Sequence, residues 1–444
     1  MNKYADLINT HTPEWARTKN AKNAGINGLL RLANIMLGFF LTIYLARTLG
    51  IDGLGTYAFG VGVAFFTSLI SRMGLPTVVV RITTSALAQS DWRKLRGVAV
   101  FAFISALLAS AITISIGIAL ITLTSTTDTS QIRNAAFLAL FISPLLTFNS
   151  IIQGFLRSFD RMFFAYSGQF LITQIVTLSS VFYFYSVGDL NAQTALWSFG
   201  IGWTVCILFG FTALLIIWPA PFDSTEVETD ILSWSRYSLT SSIGANSDLM
   251  TGTLDLTLIA IASTPGVVGL YSLVLRICQF ISFPTIAIAS SLGPQIAQLH
   301  TNNHTEVLNR KLRGAVLAGS IIATALFFTS FIVGIVVAWI TKIPFETMLS
   351  PIIILGLGFL VKTFAGNAGD VLNLTGNAKT AAILTIAAAL LSIALIFALT
   401  PQLGAAGAAF AIAIFVSGRE WALAVFLLRR TNYRSDLINA LFSR

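Results

Sequence analysis

A single charge interrupts the apolar stretch at residues 269–293, which read GLYSLVLRICQFISFPTIAIASSLG. The stretch is longer than the roughly 20 apolar residues that a membrane-spanning helix requires. Its one charge is Arg276, and no other Asp, Glu, Lys or Arg occurs between Asp255 and Glu306. Because an ionised side chain inside a bilayer is costly, this arginine predicts either a buried ion pair or a bound anion.

The composition extends the membrane interpretation to the whole chain. Of its 444 residues, 55% are hydrophobic and 10% are charged, whereas soluble domains carry about 25% charged residues. Cys206 and Cys278 both fall in apolar stretches, so no disulfide framework is expected. The polar first 25 residues lack the apolar core of a secretory signal, which indicates a short cytoplasmic lead.

We therefore predict an all-α membrane protein with twelve transmembrane helices. The connections are short and leave no room for an extramembrane domain. The predicted spans are residues 26–46, 57–80, 97–122, 134–156, 163–187, 193–218, 236–262, 267–298, 314–340, 348–370, 378–399 and 404–428.

Basic loop residues are distributed unevenly between the two sides. An even number of spans places both termini on one side, and the loops of that side hold most of the Lys and Arg. The opposite loops hold only Arg47, Arg133 and Lys342. The positive-inside rule thus predicts cytoplasmic termini. The net charge of +9 reflects this topology, and we expect no nucleic-acid partner.

Four collinear echoes indicate an internal duplication. RKLRG occurs at 93–97 and again at 310–314, and GLGTYAF (53–59) aligns with VVGLYSL (267–273). Pro-Thr and Ala-Gln pairs recur between these echoes. Two halves of six spans share one orientation, which predicts two six-helix bundles related by a pseudo-two-fold axis along the membrane normal, with the substrate between them.

This duplication gives the predicted domain organisation. The divisions are a cytoplasmic lead at 1–25, an N-lobe at 26–218, an inter-lobe cytoplasmic loop at 219–235, a C-lobe at 236–428 and a cytoplasmic tail at 429–444.

Charges inside the spans are the candidate functional residues. The spans of the N-lobe contain Arg31 and Arg72 but no acid, whereas the C-lobe contains both signs. The C-lobe candidates are Asp248, Asp255, Arg276, Lys362, Asp370, Arg419 and Glu420. Intramembrane carboxylates commonly mark ion pathways, so Asp248, Asp255 and Asp370 are candidates for coupling a proton or sodium ion or for gating.

Simpler structural roles remain open for several of these residues. Arg31 lies close enough to its cytoplasmic end to reach the headgroups. Asp255 and Arg276 lie at similar depths on neighbouring spans and could form an ion pair. Asp370 follows GNAG at the end of the tenth span and could be solvated or lie in a broken helix. The adjacent side chains of Arg419 and Glu420 diverge by ~100° on a helix, so we expect each to pair across helices.

Signatures of enzymes are missing from the sequence. There is no phosphate-binding G-x-x-x-x-G-K-[ST] loop, and the spacing of His300 and His304 lacks the H-E-x-x-H motif. No catalytic constellation, metal site or cofactor is therefore predicted. Energy for transport is expected from ion gradients or from the gradient of the substrate.

Several longer segments resemble a known family. These are YLARTLGIDGLGTYAFG (44–60), GLPTVVVR (74–81), LDLTLIAIASTPGVVGLYSLVLR (254–276), LNLTGNAKTAAILTI (372–386) and LTPQLGAAGAAFAIA (399–413). They resemble the O-antigen-type polysaccharide flippases of the multidrug/oligosaccharidyl-lipid/polysaccharide exporter superfamily. The resemblance covers nearly the whole chain.

The resemblance implies a two-lobed twelve-helix fold in the bacterial cytoplasmic (inner) membrane. It implies undecaprenyl-diphosphate-linked oligosaccharides as substrate, in contact with membrane lipid, and a polysaccharide polymerase and chain-length regulator as possible partners. Arg31 and Arg276 match positions where related cell-wall precursor flippases place cavity arginines, and Asp255 matches the family aspartate. Arg72 and Lys362 are added to the candidate anion site only because they lie deep in their predicted spans and should face the interior of the bundle.

Two competing functions are weighed against the flippase. A cation-coupled multidrug exporter of the same superfamily would favour an acidic cavity, which the N-lobe does not supply. A membrane glycan polymerase or transferase usually needs large outer loops with catalytic residues, and the outer loops here are short.

Overall fold

The computed structural model describes residues 14–123, 130–218, 228–245, 254–301, 304–431, 433 and 435–442. The secondary structure in these ranges is helical, and the predicted all-α fold is confirmed. The helices are α1 (Glu14–Arg72), α2 (Leu75–Ala88), α3 (Trp92–Leu123), α4 (Ser130–Ser158), α5 (Met162–Ser167), a π-helical segment (Gly168–Ile172), α6 (Thr173–Val187), α7 (Ala192–Ile217), α8 (Ile231–Ala245), α9 (Leu254–Ala262), α10 (Pro265–Gln279), a 3₁₀ turn (Phe280–Ser282), α11 (Phe283–Thr301), α12 (Thr305–Thr341), α13 (Phe345–Phe364), α14 (Ala368–Leu374), α15 (Ala378–Arg430) and α16 (Leu437–Phe442).

Nine helical stretches in the described ranges are long and apolar enough to cross a membrane. Two of them, Gly25–Arg72 and Ala378–Arg430, hold 48 and 53 residues, which is enough for two spans each. Each contains one glycine with non-helical backbone angles, Gly50 and Gly404. These two folded helices, together with α8 and α9 on either side of 246–253, make the architecture consistent with twelve spans.

The chain reverses at both glycines. Ser392 donates a hydrogen bond to the carbonyl of Ala411 at 3.2 Å, so the two arms of α15 lie side by side. Residues 34–42 and 54–65 of α1 line one cavity, which a straight helix rising about 1.5 Å per residue would not allow. Gly50 has φ 72° and Gly404 has φ 57°, a left-handed region that glycine adopts readily.

Two predicted spans are broken inside the membrane region. α1 ends at Arg72 and α2 begins at Leu75, with Gly74 at φ 77° between them. α13 ends at Phe364 and α14 begins at Ala368, with Gly366 at φ 72°. A Cβ on Gly366 would lie 2.0 Å from the carbonyl oxygen of Ser435. The second break is thus covered closely by the segment that follows α15.

The helix after the inter-lobe segment packs on the N-lobe. α8 begins at Ile231, inside the residues predicted as a loop. Trp234 joins a buried cluster of N-lobe residues, with its ring centroid 5.4 Å from that of Phe101. Ser238 donates to the carbonyl of Met73 at 2.6 Å, and the Arg81 guanidinium lies 4.4 Å from the centre of the Tyr237 ring. The connection between the lobes is therefore fastened to the N-lobe along a helix.

The two lobes meet through a pair of glycines. A Cβ on Gly55 would lie 1.8 Å from the carbonyl oxygen of Pro265, and one on Gly269 would lie 2.0 Å from that of Ile51. Both distances are far below any real contact, so only glycine lets the backbones of α1 and α10 approach this closely. These are the aligned glycines of the two repeats. The charge distribution predicts that this end of the bundle faces outward.

A candidate binding cavity between the lobes

A cavity of about 230 Å³ lies between α1, the π-helical segment, α6 and α7 on one side and α9 and α10 on the other. Both lobes contribute to it, as the sequence predicts for the substrate site. Its hydrogen-bonding wall includes Asn34, Gln169, Gln174, Trp203, Arg276 and Gln279. None of the described residues that line it is acidic. The charge in the described lining is therefore positive, and neutral amides surround it.

Arg276 supplies the positive charge of this cavity. Its guanidinium donates to the side-chain oxygen of Gln279 at 3.4 Å. On the facing helix stands Gly38, where an added Cβ would lie 3.4 Å from Nη1 of Arg276. The missing side chain of Gly38 leaves the space that the guanidinium uses. Arginine suits a phosphate here because its planar fork stays charged and donates two parallel hydrogen bonds.

Asp255 lies buried at the start of α9, beside the cavity. Its carboxylate accepts a hydrogen bond from the Tyr271 hydroxyl at 2.6 Å and one from the backbone N–H of Leu256 at 2.8 Å. The sequence analysis left open an ion pair between Asp255 and Arg276, and the side-chain hydrogen bond described here comes from neutral Tyr271. The charge of Asp255 still acts on Arg276 electrostatically. Tyr271 is the tyrosine of the repeated G-x-Tyr pattern, and its hydroxyl stabilises the buried Asp255 carboxylate.

The two N-lobe arginines occupy different positions. Arg72 lines a smaller cavity of about 30 Å³, which shares Phe65, Gln169 and Trp203 with the main one. Arg31 is exposed, with its guanidinium 5.9 Å from the centre of the Phe170 ring. The structure thus places Arg72 next to the cavity that holds Arg276, and Arg31 on the exposed side of the same wall.

Broken helices hold two of the half-buried cations. Arg72 lies in the last turn of α1 and Lys362 in the last turn of α13, each just before a break. The final carbonyl groups of a helix carry partial negative charge, which stabilises a nearby cation by about 0.3–2 kcal/mol. The helix ends therefore offset part of the cost of placing these charges in the bilayer.

Asp370, the remaining acidic candidate among the described residues, is not part of the cavity lining. Asp370, in the first turn of α14, accepts a hydrogen bond from the Asn367 amide at 3.3 Å, and that amide also donates to the carbonyl of Thr285 at 3.1 Å. Asp370 and Lys362 thus flank the break between α13 and α14. Asp248 lies outside the described residues. Within those residues, no group of three or more His, Cys, Asp or Glu could hold a metal ion.

One expected arrangement is wrong. Arg419 and Glu420 form an ion pair with each other, with 2.6 Å between Nη2 and Oε1, and both are buried. The 100° divergence of adjacent positions does not separate them because the long arginine side chain reaches sideways around the helix. Its guanidinium also lies 5.6 Å from the centre of the Phe415 ring. The pair is a neutral unit inside the C-lobe.

The amide side chains near the cavity were not among the candidates predicted from the sequence, because those candidates were charged residues. Gln174 donates to the side-chain oxygen of Asn34 at 3.0 Å, and Gln153 donates to that of Gln169 at 2.6 Å. The sequence does contain a weak indication of these residues. Three glutamines fall in the fourth and fifth predicted spans, where a lipid-facing helix would have apolar residues.

Comparison with known proteins supports the same architecture. The chain matches the solved structure of an inward-facing multidrug resistance MATE family transporter of the MOP superfamily, at 17% identity and a TM-score of 0.68, over 91% of this chain and 98% of that one. It matches the lipid II flippase MurJ in an inward closed conformation at 15% identity and a TM-score of 0.63, over 93% and 90%. It matches the MATE multidrug transporter DinF-BH at 17% identity and a TM-score of 0.63, over 94% and 96%. No curated protein sequence matches the chain.

The fold of this multi-pass membrane protein is thus that of transporters and flippases. A family model described as polysaccharide biosynthesis protein matches residues 20–300, which is more than half of the chain. The chain belongs to this family of polysaccharide biosynthesis proteins.

Proposed function

We propose that the protein flips undecaprenyl-diphosphate-linked oligosaccharide repeat units across the bacterial inner membrane, for O-antigen or another surface polysaccharide. Both termini are cytoplasmic in this proposal, and the lobes alternate between inward-open and outward-open states. A polysaccharide polymerase and a chain-length regulator would act on the product at the outer face. The chain itself catalyses no covalent step.

One observation carries this proposal: Arg276 stands in a cavity between the lobes whose described lining contains no acid. Such a cavity attracts a diphosphate and disfavours a cationic drug. Its volume of about 230 Å³ lies below the roughly 300–1,000 Å³ of typical ligand pockets. The cavity in this conformation thus suits a diphosphate with its nearest sugar, and a complete oligosaccharide requires the lobes to separate.

The energy for flipping has two sources. Moving an anionic headgroup outward along an inside-negative potential releases ~2.3 kcal/mol per charge per 100 mV. The second source is a proton or sodium gradient coupled through Asp255. This buried carboxylate next to the cavity can bind either ion when it gives up the Tyr271 hydroxyl. Asp248 is proposed to act with it.

Reconstitution into proteoliposomes tests the function directly. Lipid-linked oligosaccharides, extracted from cells that make the native repeat unit, are loaded into both leaflets. We expect the protein to expose those of the inner leaflet to an added glycosidase. Export of a fluorescent cationic dye is measured in the same vesicles. Dye export without oligosaccharide movement would replace the flippase with the multidrug exporter.

Asp255→Asn should abolish coupling in this assay while preserving substrate binding. Asparagine keeps the size and accepts a hydrogen bond but cannot take up a proton. We expect imposed proton or sodium gradients, which accelerate the wild type, to leave the variant at its gradient-free rate, about tenfold below the driven one. Asp189→Asn, at an exposed position, is the control. A variant that still responds to both gradients, alone and with Asp248→Asn, would remove the aspartates from the mechanism.

A further inference from the structure

A change of helical geometry rotates one wall of the cavity. Residues 168–172 form a π-helical turn within the fifth predicted span, and the backbone N–H of Thr173 donates to the carbonyl of Gly168, five residues back. In an α-helix, residues five apart point ~140° away from each other. One π turn brings such residues onto the same face. Gln169 and Gln174 accordingly both line the cavity.

The neighbouring helix makes room for the wider turn. A Cβ on Gly202 of α7 would lie 2.8 Å from the carbonyl oxygen of Thr173 and 2.4 Å from the Thr177 hydroxyl. A Cβ on Gly168 would lie 3.0 Å from the sulfur of Cys206. Glycines at both positions therefore let the π turn pack against α7, which fixes the direction of the two glutamines.

These glutamines lie beside the arginine of the facing lobe. A Cβ on Gly38 would meet Nη1 of Arg276 at 3.4 Å and Nε2 of Gln174 at 3.8 Å. The guanidinium and the amide thus flank one position of α1. Next to Gln169, Trp203 lines both cavities, and its indole N–H has no hydrogen-bond acceptor among the described residues. A buried donor without an acceptor is costly and suits a site completed by a ligand.

We propose that Gln169 and Gln174, aligned by the π turn, form a sugar-binding subsite that reads the residue attached directly to the diphosphate. This inference rests on the proposed function and deepens it. Sugar hydroxyl groups both donate and accept hydrogen bonds, and a carboxamide also does both. The aromatic side chains of Phe65, Phe199 and Trp203 supply the apolar surface around them. A diphosphate on Arg276 places its first sugar against this wall.

The test compares two probes in detergent micelles: undecaprenyl diphosphate, and native lipid-linked oligosaccharide extracted from producing cells. We expect the wild type to bind the glycosylated lipid more tightly. Gln169→Leu and Gln174→Leu should each lower the affinity for the glycosylated lipid by about fivefold to tenfold, as expected for one lost hydrogen bond. The affinity for undecaprenyl diphosphate should stay unchanged. Gln131→Leu, at an exposed position of α4, controls for the loss of an amide.

Deleting Leu171 provides a second, geometric variant. Removing one residue from the π turn returns the segment to α-helical register and leaves Gln169 and Gln174 four residues apart, only ~40° from each other, so the two glutamines should stay on one face and discrimination between the probes should persist. Equal affinity of the wild type for both probes would overturn the subsite, as would glutamine variants that lose both probes equally or neither. A wild type that binds neither probe would instead refute the proposed function.

Discussion

Replacing Arg276 with alanine is expected to lower surface-glycan display by at least about 30-fold while the protein still inserts into the membrane. The charge pair in question joins Arg276 to the diphosphate of the substrate. Truncating one member of a buried, hydrogen-bonded charge pair costs about 2–5 kcal/mol of binding free energy, and ~1.4 kcal/mol is a factor of ten in affinity. Arg276→Lys should restore only part of the activity, since an ammonium group cannot form the bidentate contact. The measurement is complementation of a strain that lacks its flippase, with the amount of membrane-inserted protein determined alongside.

Two further variants separate the loss of the arginine from damage to the fold. Lys379→Ala removes an exposed charge and should complement normally. Gly38→Leu keeps Arg276 but places a branched side chain where its guanidinium lies, and should reproduce much of the defect, whereas Gly38→Ala makes only an ordinary 3.4 Å contact. Full glycan display by Arg276→Ala would end the anion-binding role. Partial recovery when Asp255 is also replaced would assign part of the loss to an unpaired carboxylate.

Gly55→Ala is expected to disrupt the contact between the lobes and reduce transport by more than tenfold. Its Cβ would lie 1.8 Å from a backbone oxygen, so α1 and α10 must separate, and overpacking of this kind typically costs about 1–3 kcal/mol. In the proposed alternating-access cycle, this end closes once per turnover. A variant that holds the lobes apart should therefore stop the cycle, even when the binding of undecaprenyl diphosphate is intact.

A disulfide can report this closure. A Cβ at Gly266 would lie 2.7 Å from the Asp52 carboxylate, so Asp52→Cys with Gly266→Cys should cross-link rapidly when the lobes are in contact. Adding Gly55→Ala should slow the cross-link, and adding Gly418→Ala should not, because no atom lies within 4 Å of a Cβ there. Fast cross-linking and normal transport with Gly55→Ala would show that the glycine contact is dispensable.

Much of this fold could be predicted because the bilayer imposes strict rules on composition. Hydropathy and loop charges predict the membrane spans, and the aligned GLGTYAF and VVGLYSL segments predict two repeats. Positions where the backbone departs from a regular helix were harder to foresee. The glycines beside Asp370 permitted a break, and the structure has one at Gly366. The packing of α8 against the N-lobe depends on tertiary contacts of Trp234 and Ser238, which no local pattern encodes.

The candidate site was predicted in part for a similar physical reason. A lone charge such as Arg276 stands out in an apolar span, and the structure places it in the cavity. The neutral glutamines at 169 and 174 do not stand out in this way. Their alignment depends on a π turn, which α-helical periodicity does not predict. The prediction that Arg419 and Glu420 pair across helices is wrong because the ~100° between adjacent helix positions is bridged by the long arginine side chain.

The contact between Gly55 and Gly269 also bears on how the two halves of the chain are related. The two glycines are equivalent positions of the repeats, and each approaches the backbone next to the other. Under a two-fold rotation, a position can touch its own counterpart only near the axis. Such a patch is self-complementary, as in an isologous dimer. The boundary between the lobes thus has the form of an interface between two half-length subunits, here within one polypeptide.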